Sequence, residues 1–402
     1  MSCHICHTGL ISEVPKYSRL ARTTSDCKPW PSGGRIGVCQ TCGVVQKCID
    51  ELWQSETKQI YAHYNIYHQS PTQQEQPIYI ATEKAWLPRS EAVLTKFLNF
   101  SSLQKASGQA MDIGCGNGAT LKAMAKILPH YLHYGFDPTA TNIQALQSRR
   151  DLTVKAFSNK LEDLPQQYDL LTLIHVLEHI PNPLQILQDY ALMLNEEGFF
   201  VIVVPNFLEN PFDITIADHC SHFCVKTLTQ LLEAADLEIG YLDTAYLPKE
   251  IIIFAKRAKK TTPTDYRGTE SVIKRNENHL LQQVQWLGNI HQAVSEIVKK
   301  TNRFGVFGTS IAGNWMYGDW RDKISFFVDE DPDKIGTQYL GVPVLSMADL
   351  ESEDEVYVAL PPTIAKKIQE RYSAEKCKIY TPPDLYPKDY REEKRYVYTH
   401  NR

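Results

Sequence analysis

A chain of 402 residues exceeds what one ordinary core organises, so two or three domains are expected. Apolar residues at 43% and charged residues at 22% describe a globular protein, and a net charge of −5 speaks against a partner such as nucleic acid, bound through its phosphates. No apolar run approaches the ~20 residues that cross a bilayer, and "MSCHICHTGL" has no charged-then-apolar leader; a cytoplasmic protein with no membrane partner is therefore expected.

Six of the ten cysteines fall within the first 48 residues. "CHIC" gives Cys3 and Cys6, and "CQTC" gives Cys39 and Cys42. Two such pairs can bring four thiolates into a tetrahedron, the geometry zinc prefers in closed structural sites. The soft sulfur set also suits iron, so zinc rests on its commonness; His4, His7, Cys27 and Cys48 stay open as further donors. Four protein ligands leave no position for water, so the metal would be structural, holding together a segment (residues 1–70) too short to bury a core alone. A polar run rich in tyrosine and glutamine, "SETKQIYAHYNIYHQSPTQQEQPIY", follows.

Residues 71–260 alternate between strand and helix patterns. "QAMDIG", "YLHYGFD", "LTVKAFS", "YDLLTLIHVL" and "GFFVIVVPN" read as strands. "GATLKAMAKIL", "ATNIQALQSR" and "PLQILQDYALML" read as the helices between them, and "LEIGYLDTAY" and "EIIIFAK" as a closing strand pair. Such alternation means an α/β domain with a parallel sheet and helices on both faces.

The first strand ends in "DIGCGNG", placing Asp112 ahead of Gly114, Gly116 and Gly118. Glycines at a strand-to-helix turn let backbone approach a ligand closely. The third glycine comes one residue earlier than in dinucleotide folds, and an acid precedes the first. That combination suits a ligand with positive charge, such as S-adenosylmethionine with its ammonium and sulfonium. Asp137 in "GFDP" ends the second strand and is placed for ribose hydroxyls, and Glu162 after the third is placed near an adenine edge. His175 lies within the fourth strand pattern; it reads as a packed residue and is counted with the positions lining the cofactor.

"KRAKKTTPTDYRG" breaks the alternation, and residues 261–300 carry apolar residues at helical spacing (Leu280, Val284, Leu287, Val294, Val298), a long connecting helix. A second βα series fills residues 301–402 as a Rossmann-like domain. Its "GTSIAG" (Gly308, Gly313) lacks G-x-G-x-x-G, so even with Asp329 following no nicotinamide cofactor is inferred. "PKDYREEKRYVYTH" reads as a solvated tail.

"MDIGCGNG", the acid of "GFDP" and "YDLLTLIHVLEHIPNP", in this order, resemble the class I methyltransferases. The three parts together resemble the sugar C-methyltransferases of deoxysugar biosynthesis, which join a four-cysteine zinc segment, a methyltransferase domain and a Rossmann-like domain. Residues carrying this resemblance are the four cysteines followed by "CGVVQ", the tyrosines of "YAHYNIYHQS", His179 of "VLEHIPNP" and Asp218–His219 of "DHCSHF". The resemblance implies a nucleotide-linked keto-sugar as substrate and His219 as the base that removes a proton beside the ketone. Asp218, or another nearby acid, would orient its ring. His179 would steady the enolate oxygen, and Tyr64 or Tyr67 would cover the substrate. A monomer or homodimer is expected. The family usually has glutamate at the Asp218 position and tyrosine at that of Ile216, and "TTSDCKPWPSGG" differs from its usual sequence.

Other readings are an O- or N-methyltransferase for a sugar or another small metabolite, a zinc-knuckle RNA methyltransferase, and a binding protein without turnover. The RNA reading would call for a basic knuckle and an Asn-Pro-Pro-aromatic loop, where this chain has "HVLEHIPNP".

Overall fold

In the computed structural model, which describes residues 2–64, 75, 77–101, 107–259, 267–385 and 397–399, an eight-stranded sheet forms the centre of the chain. Its strands are labelled in chain order: β1 (Gly108–Ile113), β2 (Tyr131–Phe136), β3 (Ala156–Ser158), β4 (Tyr168–Ile174), β5 (Leu194–Pro205), β6 (Leu237–Asp243), β7 (Glu250–Arg257) and β8 (Val397–Thr399). Their spatial order is 3-2-1-4-5-7-6-8. Strands β1 to β5 run parallel, and β7 returns antiparallel beside β5.

The apolar runs of β4 and β5 are buried on both faces, as parallel strands under two helical layers must be. Leu171, Leu173, Phe200, Ile202 and Val204 enter one core; Leu170, Phe199, Val201 and Val203 enter the core on the opposite face. The strand order reverses at β1, where β2 lies on one side and β4 on the other. The crevice outside the carboxyl ends of these strands is where such folds bind ligands.

Three expectations change at their edges. Of "LTVKAFS" only Ala156–Ser158 pairs as strand, and the helix read from "PLQILQDYALML" stops at Ala191, with β5 beginning at Leu194. The described part of the tail is exposed as expected but also supplies β8: Val397–Thr399 pairs antiparallel with Tyr241–Asp243, covering donors and acceptors that an edge strand leaves open.

The polar run after the cysteines forms, in its first part, the helix Glu51–Ala62, capped by Asp50 and buried at Trp53 and Ile60. The N-terminal strands Ile11–Glu13, Ile36–Cys39 and Val45–Lys47 form a small antiparallel sheet. Its fourth strand, Ser221–His222, comes from the segment after β5. This segment of the chain shares its cores with its neighbours. Cys3, Ile5 and Val44 pack into the cluster of Leu173 and Ile202, while Val14, Tyr17 and Val38 pack with the C-terminal unit.

The helix Glu270–Val298 spans 29 residues, with Thr269 accepting from Val272 N at its start. The C-terminal sheet orders its strands as 338–339, 342–345, 324–328, 304–307, 355–357 and 378–380, a mixed α/β arrangement. The expected domain boundaries at 70/71 and 260/261 lie outside the described residues.

Candidate active site

The turn after β1 is built for close backbone approach. Gly114, Gly116 and Gly118 all take left-handed φ values, of 72°, 47° and 81°. A Cβ on Gly114 would stand 2.5 Å from Val176, so only glycine fits there. Asp137, at the end of β2, accepts from Gly116 N at 3.0 Å and Thr139 N at 2.8 Å, which fixes its carboxylate against the glycine turn. Asp112 is buried and accepts from Thr172 Oγ1 at 2.5 Å. Burial, with the charges of Asp137 and Glu75, pushes its carboxyl up to about 7. Glu162 is exposed on a short helical turn beyond β3.

His175 does not lie within β4 as the sequence reading had it. The strand ends at Ile174, and His175 turns out of it with a left-handed φ of 55°. Its Nδ1 is 3.2 Å from Glu178 Oε1 and its Nε2 is 3.4 Å from Glu250 Oε1. Arg89 Nε donates to the same Glu250 oxygen at 2.9 Å. Burial alone would lower His175, but the Glu250 and Glu178 carboxylates outweigh it and raise it to about 9. A raised histidine contributes stability that is full below its unfolded pKa of about 6.5 and fades as pH rises through about 9. Thermal melts should accordingly fall between those pH values, and His175→Gln should flatten that fall; an unchanged slope would contradict the assignment.

A second cluster stands on the segment joining β5 to the helix Val225–Ala234, facing the turn that follows β4. His219 Nδ1 is 2.8 Å from Asp213 Oδ1, and His222 Nδ1 is 2.5 Å from Asp213 Oδ2. Burial would raise Asp213, but the two imidazoles outweigh it and hold the carboxyl well below its usual range. His222, fully buried, is lowered by desolvation, so the neutral ring donates Nδ1–H to an ionised Asp213.

The acid on His219 is thus Asp213, six residues upstream, rather than adjacent Asp218. Asp218 accepts from Ser25 N at 2.9 Å and Ser25 Oγ at 2.5 Å, and its Oδ2 lies 3.3 Å from His179 Nδ1. Burial opposes the charge on His179, but the Asp218 carboxylate overcomes it and raises the ring above its usual value. The rings of His179 and His219 meet edge to face, centroids 4.5 Å apart.

Tyr61 Oη is 3.1 Å from His179 Nδ1. Tyr64 packs its ring 5.5 Å from that of Tyr61, and Ser25 Oγ reaches its hydroxyl at 3.4 Å. Tyr67 lies outside the described residues. Cys220 and His222 are buried, and Cys224 Sγ accepts from Arg275 Nη2 at 3.3 Å. Among the tyrosines of "YAHYNIYHQS" sequence reasoning singled out Tyr64 and Tyr67 rather than Tyr61, and it missed Ser25, Arg89, Asp213 and Glu250. Of these only Asp213, an acid within reach of the histidines in sequence, left a local signal.

The four cysteines converge as their spacing requires. Cys3 Sγ and Cys42 Sγ are 3.7 Å apart, and Cys6 Sγ and Cys39 Sγ 3.6 Å. Bonds of about 2.3 Å to a central metal give tetrahedral sulfur–sulfur edges of about 3.8 Å. Ile5 and Cys6 N–H groups point at Cys3 Sγ, and Thr41 and Cys42 N–H groups at Cys39 Sγ, at 3.3–3.4 Å, the turn geometry that favours thiolates. His4 turns away to Ser221 Oγ at 2.8 Å, and Cys27 and Cys48 stand outside the group.

In the C-terminal sheet the Gly308 turn is closed by Asp329, which accepts from Thr309 Oγ1 at 2.8 Å and has Lys334 Nζ 3.5 Å away. Gly313 is demanded by packing: a Cβ there would lie 2.0 Å from Gly308 O. No helix among the described residues is long and apolar enough to cross a membrane.

A sheet of this order, with Asp112 near the end of β1, glycines in the turn that follows and a second acid after β2, is the Rossmann-type sheet of a methyltransferase domain. Residues 86–241 match the family described as "Methyltransferase domain". The chain is 30% identical over 110 residues to the ubiquinone biosynthesis O-methyltransferase of Actinobacillus pleuropneumoniae serotype 7 (strain AP76), covering 24% of this chain and 46% of that one. Its identity to the ubiquinone biosynthesis O-methyltransferase of Vibrio vulnificus (strain YJ016) is 29% over 170 residues, 36% of this chain and 72% of that one. The chain spans about half the length of the first curated relatives it matches. Among solved structures, the plantazolicin methyltransferase BpumL in complex with SAH aligns over 42% of this chain and 83% of its own, with 16% identity and a TM-score of 0.36.

Proposed function

We propose that this chain transfers a methyl group from S-adenosylmethionine to a small molecule, at a carbon beside the ketone of a nucleotide-linked keto-deoxysugar. The observation that carries this reading is the Asp213–His219 pair standing against the His179–Asp218 pair at the carboxyl edge of the sheet. A carbon acceptor must first lose a proton, and a base is needed whose ring is held in one tautomer. Asp213 accepts from Nδ1 of His219, which leaves Nε2 free to take that proton. His179, whose Nδ1 meets the Asp218 carboxylate and the Tyr61 hydroxyl, turns its Nε2 as a donor to the enolate oxygen that forms.

Asp112, Gly114, Gly116 and Asp137 are the residues that would hold the cofactor, Asp137 by accepting from the ribose hydroxyls. Bound there, S-adenosylmethionine supplies an electrophilic methyl on a sulfonium. Zinc is the metal proposed for the four thiolates, with a structural role.

Asp137→Ala should weaken binding of S-adenosylhomocysteine about 10- to 100-fold, the loss expected for hydrogen bonds to a charged acceptor, and titration calorimetry would read it. Unaltered affinity would remove Asp137 from the site.

Mass spectrometry in D2O with nucleotide 4-keto-6-deoxysugars tests the acceptor. Deuterium uptake by the sugar without cofactor, and a methyl gain with it, support transfer to carbon. Methyl gain with no enzyme-dependent exchange favours a second reading, transfer to oxygen, which the names of the O-methyltransferase relatives suggest and for which the same base would serve. No reaction on any sugar, with cofactor still bound, would overturn the sugar class.

A further inference from the structure

The segment that bears His219 is held largely by the N-terminal part of the chain. Tyr17 Oη donates to Ile214 O at 2.9 Å, and the Lys47 ammonium donates to Ile216 O. Ala217 N donates to Thr23 O at 2.7 Å, and its carbonyl accepts from Trp53 Nε1 at 3.0 Å. Lys47 N donates to Cys220 O at 3.0 Å, on the far side of His219. Ser221 and His222 then pair antiparallel with Gln46 and Val45 as the outer strand of the cysteine-bearing sheet.

One residue joins this clamp to the four-sulfur cluster. The backbone of Gln46 pairs with Ser221, one residue beyond Cys220 and two from His219. Its side-chain Nε2 lies 2.9 Å from Cys3 Sγ, and its Oε1 accepts from His4 N at 3.0 Å. His4 in turn reaches Ser221 Oγ at 2.8 Å through Nε2. The loop closes on itself: sulfur, Gln46, Ser221, His4 and back to the Cys3–Cys6 turn. A thiolate drawn to a metal is a strong acceptor and fixes the Gln46 amide; without the metal the four sulfurs lose the centre that holds both Cys-x-x-Cys turns.

We propose that the four-cysteine metal site is the remote anchor of the segment Ile214–His222, with Gln46 as the positioning residue that links the two. This rests on the reading of His219 as the base; the local mobility it predicts does not depend on the acceptor. The metal is needed for the histidine to be presented; the cofactor crevice is built from β1 and β2, whose strand pairing, with each other and with β4, does not involve the cysteine segment.

Amide hydrogen exchange of the full chain would test this, comparing protein carrying zinc, protein stripped by a chelator, and Gln46→Leu with zinc retained. Exchange over 214–222 should accelerate at least ten-fold in the last two while the amides of β1 and β4 keep their protection. S-adenosylhomocysteine affinity should stay within two-fold, and methyl transfer should fall in kcat with KM for S-adenosylmethionine unchanged. Zinc added back should restore the stripped protein, and Ser221→Ala, which removes the hydroxyl that meets His4 Nε2 and Cys220 Sγ, should loosen the segment partway. Should stripping unfold the whole chain, Gln46→Leu decides. Undisturbed protection of 214–222 in Gln46→Leu, or loss of β1 and β4 protection together with it, would overturn the proposal. Local loosening with no turnover on any keto-sugar would leave the anchor standing and fault the acceptor instead.

Discussion

His219→Asn will lower methyl transfer about 100- to 10,000-fold, the range associated with removing a positioned general base, while S-adenosylhomocysteine binding is retained. Asparagine approximates the reach of the Nδ1 side of imidazole and keeps a donor for Asp213, so the buried carboxylate is not orphaned. What it lacks is a basic ring nitrogen. The decisive readout is the deuterium exchange of a keto-sugar without cofactor, which isolates proton removal from methyl transfer. If exchange continues at the wild-type rate in the variant, the base lies elsewhere in the cluster, and His179 becomes the residue to replace.

Asp213 carries the second large effect, and two substitutions separate its two jobs. In Asp213→Asn one of the two side-chain atoms becomes a donor, so His219 and His222 can no longer both present Nδ1–H to an acceptor. One ring must change tautomer or lose its partner. Activity should drop about as far as in His219→Asn, with a far smaller cost in stability. Asp213→Ala leaves two buried imidazole N–H donors without an acceptor and should cost about 2–6 kcal/mol in urea unfolding.

The pH dependence follows with a definite sign. The Asp213 carboxyl is depressed in the folded state, so its contribution is full above the unfolded carboxylate value of about 3.9 and is lost as pH falls towards the folded value. The acid limb of the wild-type stability curve should therefore be steeper than that of Asp213→Ala. Identical acid limbs would mean that the carboxylate is not the ionised partner of both rings.

The parts of this site that were legible in sequence are those made by short-range geometry. Asp112 and the three glycines form one turn, and each Cys-x-x-Cys pair closes within four residues. Such features need no knowledge of the rest of the chain. The partner of His219 was harder to read because the segment from Phe207 to Cys224 follows neither a helical nor a strand period. Adjacency in sequence pointed to Asp218, whereas the 3-10 turn at Asp213–Thr215 brings the earlier acid under both histidines. Ser25 meets Asp218 across 193 positions of sequence, which no local pattern announces. His175 was misread for another reason: an apolar run gives no mark of where pairing stops, and only the left-handed φ shows that the strand has ended. Of the tyrosines, the helix phase of Glu51–Ala62 decides, carrying Tyr61 to His179.

The sheet that the N-terminal strands share with Ser221–His222 also orders events in time. During synthesis the cysteine pairs emerge first, but the outer strand of their sheet is made some 175 residues later, as the pairing of Gln46 with Ser221 fixes. Contacts between positions so far apart close late and slowly. The cysteine segment must therefore wait, with its fourth edge open, until β1 to β5 have been made. A nascent chain halted before residue 221 would present that edge to other chains, and the segment bearing His219 would be fixed only after all five parallel strands had been made.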